Sequence, residues 1–83
     1  MSKVINACHE RDLAHIVRTK DGKYYYVDSA DTFDAGYETM VFPADEKGEV
    51  TDWGDLYCER YSSYADMKER HNYIIEHLEE VLK

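Results

Sequence analysis

Four histidines and two cysteines are the side chains with which this 83-residue chain could bind a metal or activate a nucleophile. Cys8 and His9 are adjacent, His9 and His15 lie six apart, and so do His71 and His77. Structural zinc sites pair their ligands through short spacings such as CxxC or HxxxH, and this chain has neither. Six residues on a helix turn through about 600°, so the rings of His71 and His77 point more than about 100° apart. A centre built from Cys8, His9, His15 and Cys58 would depend on long-range assembly alone. Nucleophilic catalysis by a thiol needs a neighbouring base and a lowered pKa. Cys58 has Asp55 and Glu59 as neighbours, whose charges oppose a thiolate, so catalysis by Cys58 with His71 is not expected. His71 reads instead as a packed ring with one hydrogen bond.

The carboxylates offer a second kind of chemistry. Asp28-x-x-Asp31-x-x-Asp34 is a run of acids, but a calcium loop takes ligands from alternate positions, with a glycine at the bend and a closing glutamate. A phosphate-cradling glycine loop and a Gly-x-Ser-x-Gly turn are also absent. The expectation is a non-enzymatic protein with no metal and no cofactor.

Charge is unevenly placed. Eighteen acids and ten bases give a net −8, divided as +2 over residues 1–27, −9 over 28–59 and −1 over 60–83. A field of this sign repels nucleic acid and anionic lipid and attracts basic protein surfaces. Direct nucleic-acid or membrane binding is therefore not expected. The same acids also serve as a solvated surface that aids solubility, and composition does not separate the two uses.

Two cysteines do not make a disulfide scaffold, and residues 1–10 lack the apolar stretch of a secretory signal. The thiols read as reduced, in the cytoplasm of a bacterial host cell, with a Cys8–Cys58 bridge as the alternative. The longest uninterrupted apolar run is four residues, 24–27, far too short to cross a bilayer.

The elements that must position these groups are those of a single domain, residues 1–83. Asp21-Gly22 marks a tight turn between strand-like runs at 14–18 and 24–28, both rich in β-branched and aromatic residues. Residues 29–36 (Ser-Ala-Asp-Thr-Phe-Asp-Ala-Gly) read as a loop. A third strand spans 37–42 and stops at Pro43, and a fourth spans 56–61. Ser62 or Ser63 opens a helix, with Ser63-x-x-Asp66 as a capping box. Met67, His71, Ile74, Ile75, Leu78, Val81 and Leu82 form its apolar stripe. The fold class is α+β: an antiparallel meander of three to four strands with one C-terminal helix packed on one face. Residues 1–12 fit either a short helix or a lead-in strand.

Eight of the eleven aromatic residues are tyrosine, a ring that tolerates half-exposure because its hydroxyl stays wet. One helix covers one face of a sheet, and alternation sends half of the strand residues to the other. Tyr24 and Tyr26 share a face, opposite Tyr25 and Val27, while Tyr57 and Tyr61 share a face opposite Leu56 and Cys58. These rings suit either a protein-binding surface or the capping of a core with few aliphatics.

Over residues 36–82 the chain reads Gly-Tyr-Glu-Thr-Met-Val-Phe, an acidic turn, Asp-Trp-Gly-Asp-Leu-Tyr, then Arg-Tyr-Ser-Ser-Tyr-Ala-Asp-Met-Lys-Glu-Arg-His. This resembles small proteins of unassigned activity encoded by phages and prophages of Firmicutes and other bacteria. The shared features fall on Glu38 to Phe42, on Trp53, and on Ala65 with His71. The resemblance implies a phage or mobile-element origin. It implies no activity; by analogy with acidic anti-CRISPR and other anti-defence proteins, the −9 segment would match inhibition by presenting carboxylates where a nuclease expects phosphates.

The expected activity is binding and inhibition of a bacterial protein with a basic surface, such as a CRISPR effector or other nuclease. The expected working surface is Asp28, Asp31, Asp34, Asp45, Glu46, Glu49, Asp52 and Asp55, with Tyr24, Tyr26 and Trp53 as anchors. The rival expectation is a structural or accessory domain whose tyrosine face is buried in a homodimer.

Overall fold

The computed structural model describes residues 3–4, 13–32 and 36–83. Five strands and two helices follow in order: β1 (Lys3–Val4), β2 (Leu13–Arg18), β3 (Tyr24–Thr32), β4 (Gly36–Ala44), β5 (Tyr57–Tyr61), α1 (Tyr64–Glu76) and α2 (Leu78–Val81). The strands form one antiparallel sheet in sequence order, so the fold is the expected α+β meander with a C-terminal helix on one face. Of the open choice for residues 1–12, Lys3–Val4 takes the strand form and pairs with β2. Cys8 and His9, and with them any Cys8–Cys58 bridge or Cys8–His9 metal site, lie outside the described residues.

The β2–β3 hairpin closes as its Asp-Gly turn requires. The Gly22 amide bonds the Thr19 carbonyl at 3.0 Å, and Gly22 holds a φ of +85°, a conformation that costs glycine little. Three expectations are corrected in the strands. Ser29 to Thr32 do not belong to a loop: they continue β3 and pair with Thr39 to Gly36. Local turn-forming tendencies give way there to a long-range ladder and to buried hydroxyls on Ser29 and Thr39. Pro43 does not stop β4, which runs on to Ala44. Its carbonyl accepts from Thr51, and the nitrogen of a strand residue points the same way as its carbonyl. The missing N–H therefore costs no bond to β3. Leu56, for its part, precedes β5 and bonds the Val41 carbonyl from the connection.

Ser63 caps α1, its Oγ accepting the Asp66 amide at 3.1 Å as the sequence implies. The single expected helix is in fact two. His77 leaves helical geometry at φ −124°, its ring stacked on Tyr73 at 4.3 Å and its Nδ1 3.0 Å from the Tyr73 carbonyl.

Register assigns the faces. Val17, Val27 and Val41 point to the helical side and pack with Ile74, Ile75 and Leu78, ringed by Tyr25, Tyr57, Val81 and Leu82. Burying one such aliphatic side chain is worth about 1.5–3 kcal/mol, which holds α1 and α2 on the sheet. Ala14, Ile16 and Phe42 point the other way and are buried too. Ile16 and Phe42 are covered by the long connection 45–56, which folds back across the outer face. A side chain at Gly48 would lie 3.3 Å from Ile16, and the Trp53 ring meets Phe42 edge-on at 5.1 Å.

Candidate functional site

The connection between β4 and β5 carries most of the expected surface residues. It begins as a tight turn held by Asp45, whose Oδ1 accepts the amides of Lys47 at 2.9 Å and Glu49 at 3.0 Å. Asp52 repeats the device, accepting the Gly54 amide at 2.9 Å. Both carboxylates therefore shape the connection as well as charging it. Glu46, Glu49 and Asp55 are exposed. Between them Trp53 is 70% exposed and Leu56 52%, the two most exposed large apolar side chains among the described residues.

Tyr26 joins this surface through Phe42: its ring stacks on Phe42 at 6.4 Å, and Phe42 carries Trp53. Tyr24 lies on the same outer face opposite Ala44, where the connection starts. Tyr24, Tyr26 and Trp53 thus share one side of the sheet with Asp45, Glu46, Glu49, Asp52 and Asp55 adjoining them. Of the other expected acids, Asp28 lies on the same outer face, two residues from Tyr26 and opposite Ala14 and Met40, whereas Asp31 does not join. Asp31 pairs with Tyr37 at the far end of the β3–β4 hairpin, about 23 Å from Tyr24 at strand rise. Asp28 and Asp31 are three residues apart in one strand and so face opposite sides, which prevents them from chelating one calcium ion. Asp34 lies outside the described residues.

The remaining two acids of the −9 segment are tied to arginine. Glu38 pairs with Arg60 across β4 and β5 at 3.3 Å, and Glu59 receives Arg70 of α1 at 3.0 and 3.2 Å. The Tyr57 hydroxyl donates to Glu59 at 2.5 Å. Burial alone would raise the Glu59 carboxyl, but the hydrogen bonds from Arg70 and Tyr57 and the charge of Arg70 hold it below the usual range. At Cys58, burial together with the charges of Glu38 and Asp55 pushes the thiol up, away from nucleophilic activation.

A second cluster lies between sheet and helix, and the sequence pattern missed it. His71 is fully buried, and both of its ring nitrogens are engaged, not one. Nδ1 lies 2.6 Å from Ser29 Oγ and Nε2 2.7 Å from His15 Nδ1. Ser29 Oγ meets Thr39 Oγ1 at 2.5 Å, and the Tyr61 hydroxyl donates to Thr39 at 3.0 Å. Four strands and the helix contribute one polar group each. Burial and the adjacent His15 lower the pKa of His71 to about 4, and burial lowers that of His15. The available signal was alternation: His15 shares a face with Val17, and Ser29 with Val27.

No family model, curated protein or solved structure matches this chain. Among the described residues no helix is long and apolar enough to cross a membrane.

Proposed function

We propose that this protein acts by binding, using the 45–56 connection as an acidic, tryptophan-bearing surface that docks on a basic protein. The observation that carries this reading is Trp53, 70% exposed on a Phe42 platform in a connection that holds five carboxylates and Lys47 as its one base. Tryptophan left in water is a typical hot-spot anchor, while the surrounding acids steer a basic partner and make association salt-dependent. Together with the phage-type pattern of residues 36–82, this favours inhibition of a bacterial nucleic-acid-processing protein whose phosphate channel accepts the carboxylates. The reading supplies a reason for acids that do not hold turns: Glu46, Glu49 and Asp55 charge the surface without shaping it.

The test is binding to a panel of purified bacterial nucleases with basic DNA channels, CRISPR effectors included, at low and moderate salt. Binding that weakens with salt and is competed by duplex DNA is expected. Trp53→Ala and the triple Glu46→Lys, Glu49→Lys, Asp55→Lys should each weaken it by at least about tenfold, the scale of a hot-spot loss. Binding unaffected by the triple reversal, or a concentration-dependent dimer with no nuclease bound, would contradict it.

A further inference from the structure

The buried cluster holds one more hydrogen-bonding constraint than its distances alone convey. Each contact in the series Tyr61–Thr39–Ser29–His71–His15 needs one hydrogen, and each neutral member carries one on its hydroxyl or ring. Four contacts and five hydrogens leave one hydrogen over. With Tyr61 donating to Thr39, the series can run in one direction: Thr39 donates to Ser29, Ser29 to His71 Nδ1, and His71 Nε2–H to His15 Nδ1. The spare hydrogen then sits on His15 Nε2, on a half-buried ring. If the series ran the other way from His15, the spare hydrogen would fall on Thr39, which is fully buried and has Ser29 and Tyr61 as its hydroxyl partners among the described residues. A buried donor without an acceptor costs about 1–3 kcal/mol, so with the Tyr61 hydroxyl donating to Thr39, as it does in the structure, the neutral molecule takes the first direction.

A proton added to His15 changes this choice. Both nitrogens of His15 then donate, so His71 Nε2 must accept and the hydrogen of His71 must move to Nδ1. Ser29 then accepts from His71 and donates to Thr39. Thr39 must in turn donate to Tyr61, which reverses the bond found in the structure and turns the hydrogen of the half-buried Tyr61 hydroxyl outward. A second proton, on His71, would set two N–H groups against each other across 2.7 Å.

We propose that these five residues form a proton relay whose hydrogen-bond direction reverses when His15 takes up one proton, carrying the protonation state of β2 across the sheet to Tyr61 on β5. The groups facing His71 from the packed elements are His15 of β2, Ser29 of β3 and Thr39 of β4, with Tyr61 of β5 one bond beyond. On α1 its neighbours on the buried stripe are Met67, Ile74 and Ile75, and α2 adds Leu78. Among the described strand residues, the charged groups on this side of the sheet are Glu59, held by Arg70 and Tyr57, and Asp31 at the end of β3. Neither ring bond of His71 goes to a carboxylate, so no fixed charge pins its hydrogen to one nitrogen. Tyr61 lies in register with Tyr37, which meets Tyr64 at the start of α1, so the relay ends where sheet and helix join.

The test is nitrogen NMR of the histidine rings in the full-length protein from pH 8 to pH 5. At pH 8 the expected form of His71 is Nε2–H. As His15 becomes doubly protonated, His71 should stay neutral and shift to Nδ1–H, and the ring carbon bearing the Tyr61 hydroxyl should shift with the same midpoint. A His71 ring that keeps one form while His15 titrates, or already carries Nδ1–H at pH 8, overturns the proposal. Thr39→Val cuts the series in the middle. It should abolish the Tyr61 response while His71 still shifts, and a persisting Tyr61 response refutes the route. Should that variant not fold, the wild-type series decides.

Discussion

The two faces of the sheet solve the problem of polar groups in opposite ways. Toward the helices, polar side chains are taken inside and satisfied by one another: His71, Ser29 and Thr39 are fully buried, with His15 and Tyr61 closing the series. Toward the connection 45–56 the polar groups stay in water, and what is left exposed there is apolar, Trp53 and Leu56. A buried polar network rigidifies only if it is complete, since each missing partner leaves an unsatisfied group in a low dielectric. An exposed indole among carboxylates contributes little to folding and gains most from a partner. The helical face therefore carries stability, and the outer connection is where the proposed recognition would take place.

The largest expected effect lies on the helical face. Ile74→Ala, at a fully buried contact with the sheet valines, should cost about 2–5 kcal/mol in urea unfolding. A loss below about 1 kcal/mol would mean that the helices are not held by this core.

Acid should come next. The unfolded chain takes up a proton on His71 near pH 6.5, whereas the folded chain does so near pH 4. Between those values the unfolded state binds more protons, so stability falls as the pH drops through that window. The full loss is roughly 3 kcal/mol at about 1.4 kcal/mol per pH unit. A domain of this length has in total roughly 0.05–0.15 kcal/mol per residue, so the fall is a large share of it. Unfolding midpoints measured from pH 7.5 to 4 should show it, and His71→Phe, if folded, should flatten the curve.

On the outer face stands Gly48, at φ +86° with Ile16 beside it. Gly48→Ala should cost roughly 1–2 kcal/mol through its left-handed backbone and the close contact. It should also loosen the connection, read as faster amide exchange at Glu49. The smallest effect on folding is expected from Trp53→Ala, below about 1 kcal/mol, together with the largest effect on binding. Equal losses in both would break the division of labour.

Much of this was legible in residue types. The Asp21-Gly22 turn, the capping Ser63 and the stripe from Met67 to Leu78 are local signals, and local physics decides them. Ser29 to Thr32 were misread because serine, aspartate and threonine favour turns when judged by their neighbours, whereas their place is settled by pairing with residues 36–39. The relay was hidden for a related reason. His15, Ser29, Thr39, Tyr61 and His71 come from five elements, and only the register of the sheet brings them together. For the outer surface, charge counting found the acids but not their division between the hairpin end at Asp31 and the connection at 45–55. That division depends on the connection folding back over Ile16 and Phe42.

Trp53 is the sole tryptophan, so 5-fluorotryptophan labelling gives one fluorine resonance placed in the proposed surface. Its position and width should be followed while a basic bacterial nuclease that retains the protein is added, first at low and then at moderate salt. A resonance that shifts or broadens on addition and returns with salt, alongside unchanged amide signals from α1, is the expected result. Complex formation detected by mass with an unperturbed Trp53 resonance would show that the partner binds elsewhere, and would contradict the assignment of recognition to the acidic connection.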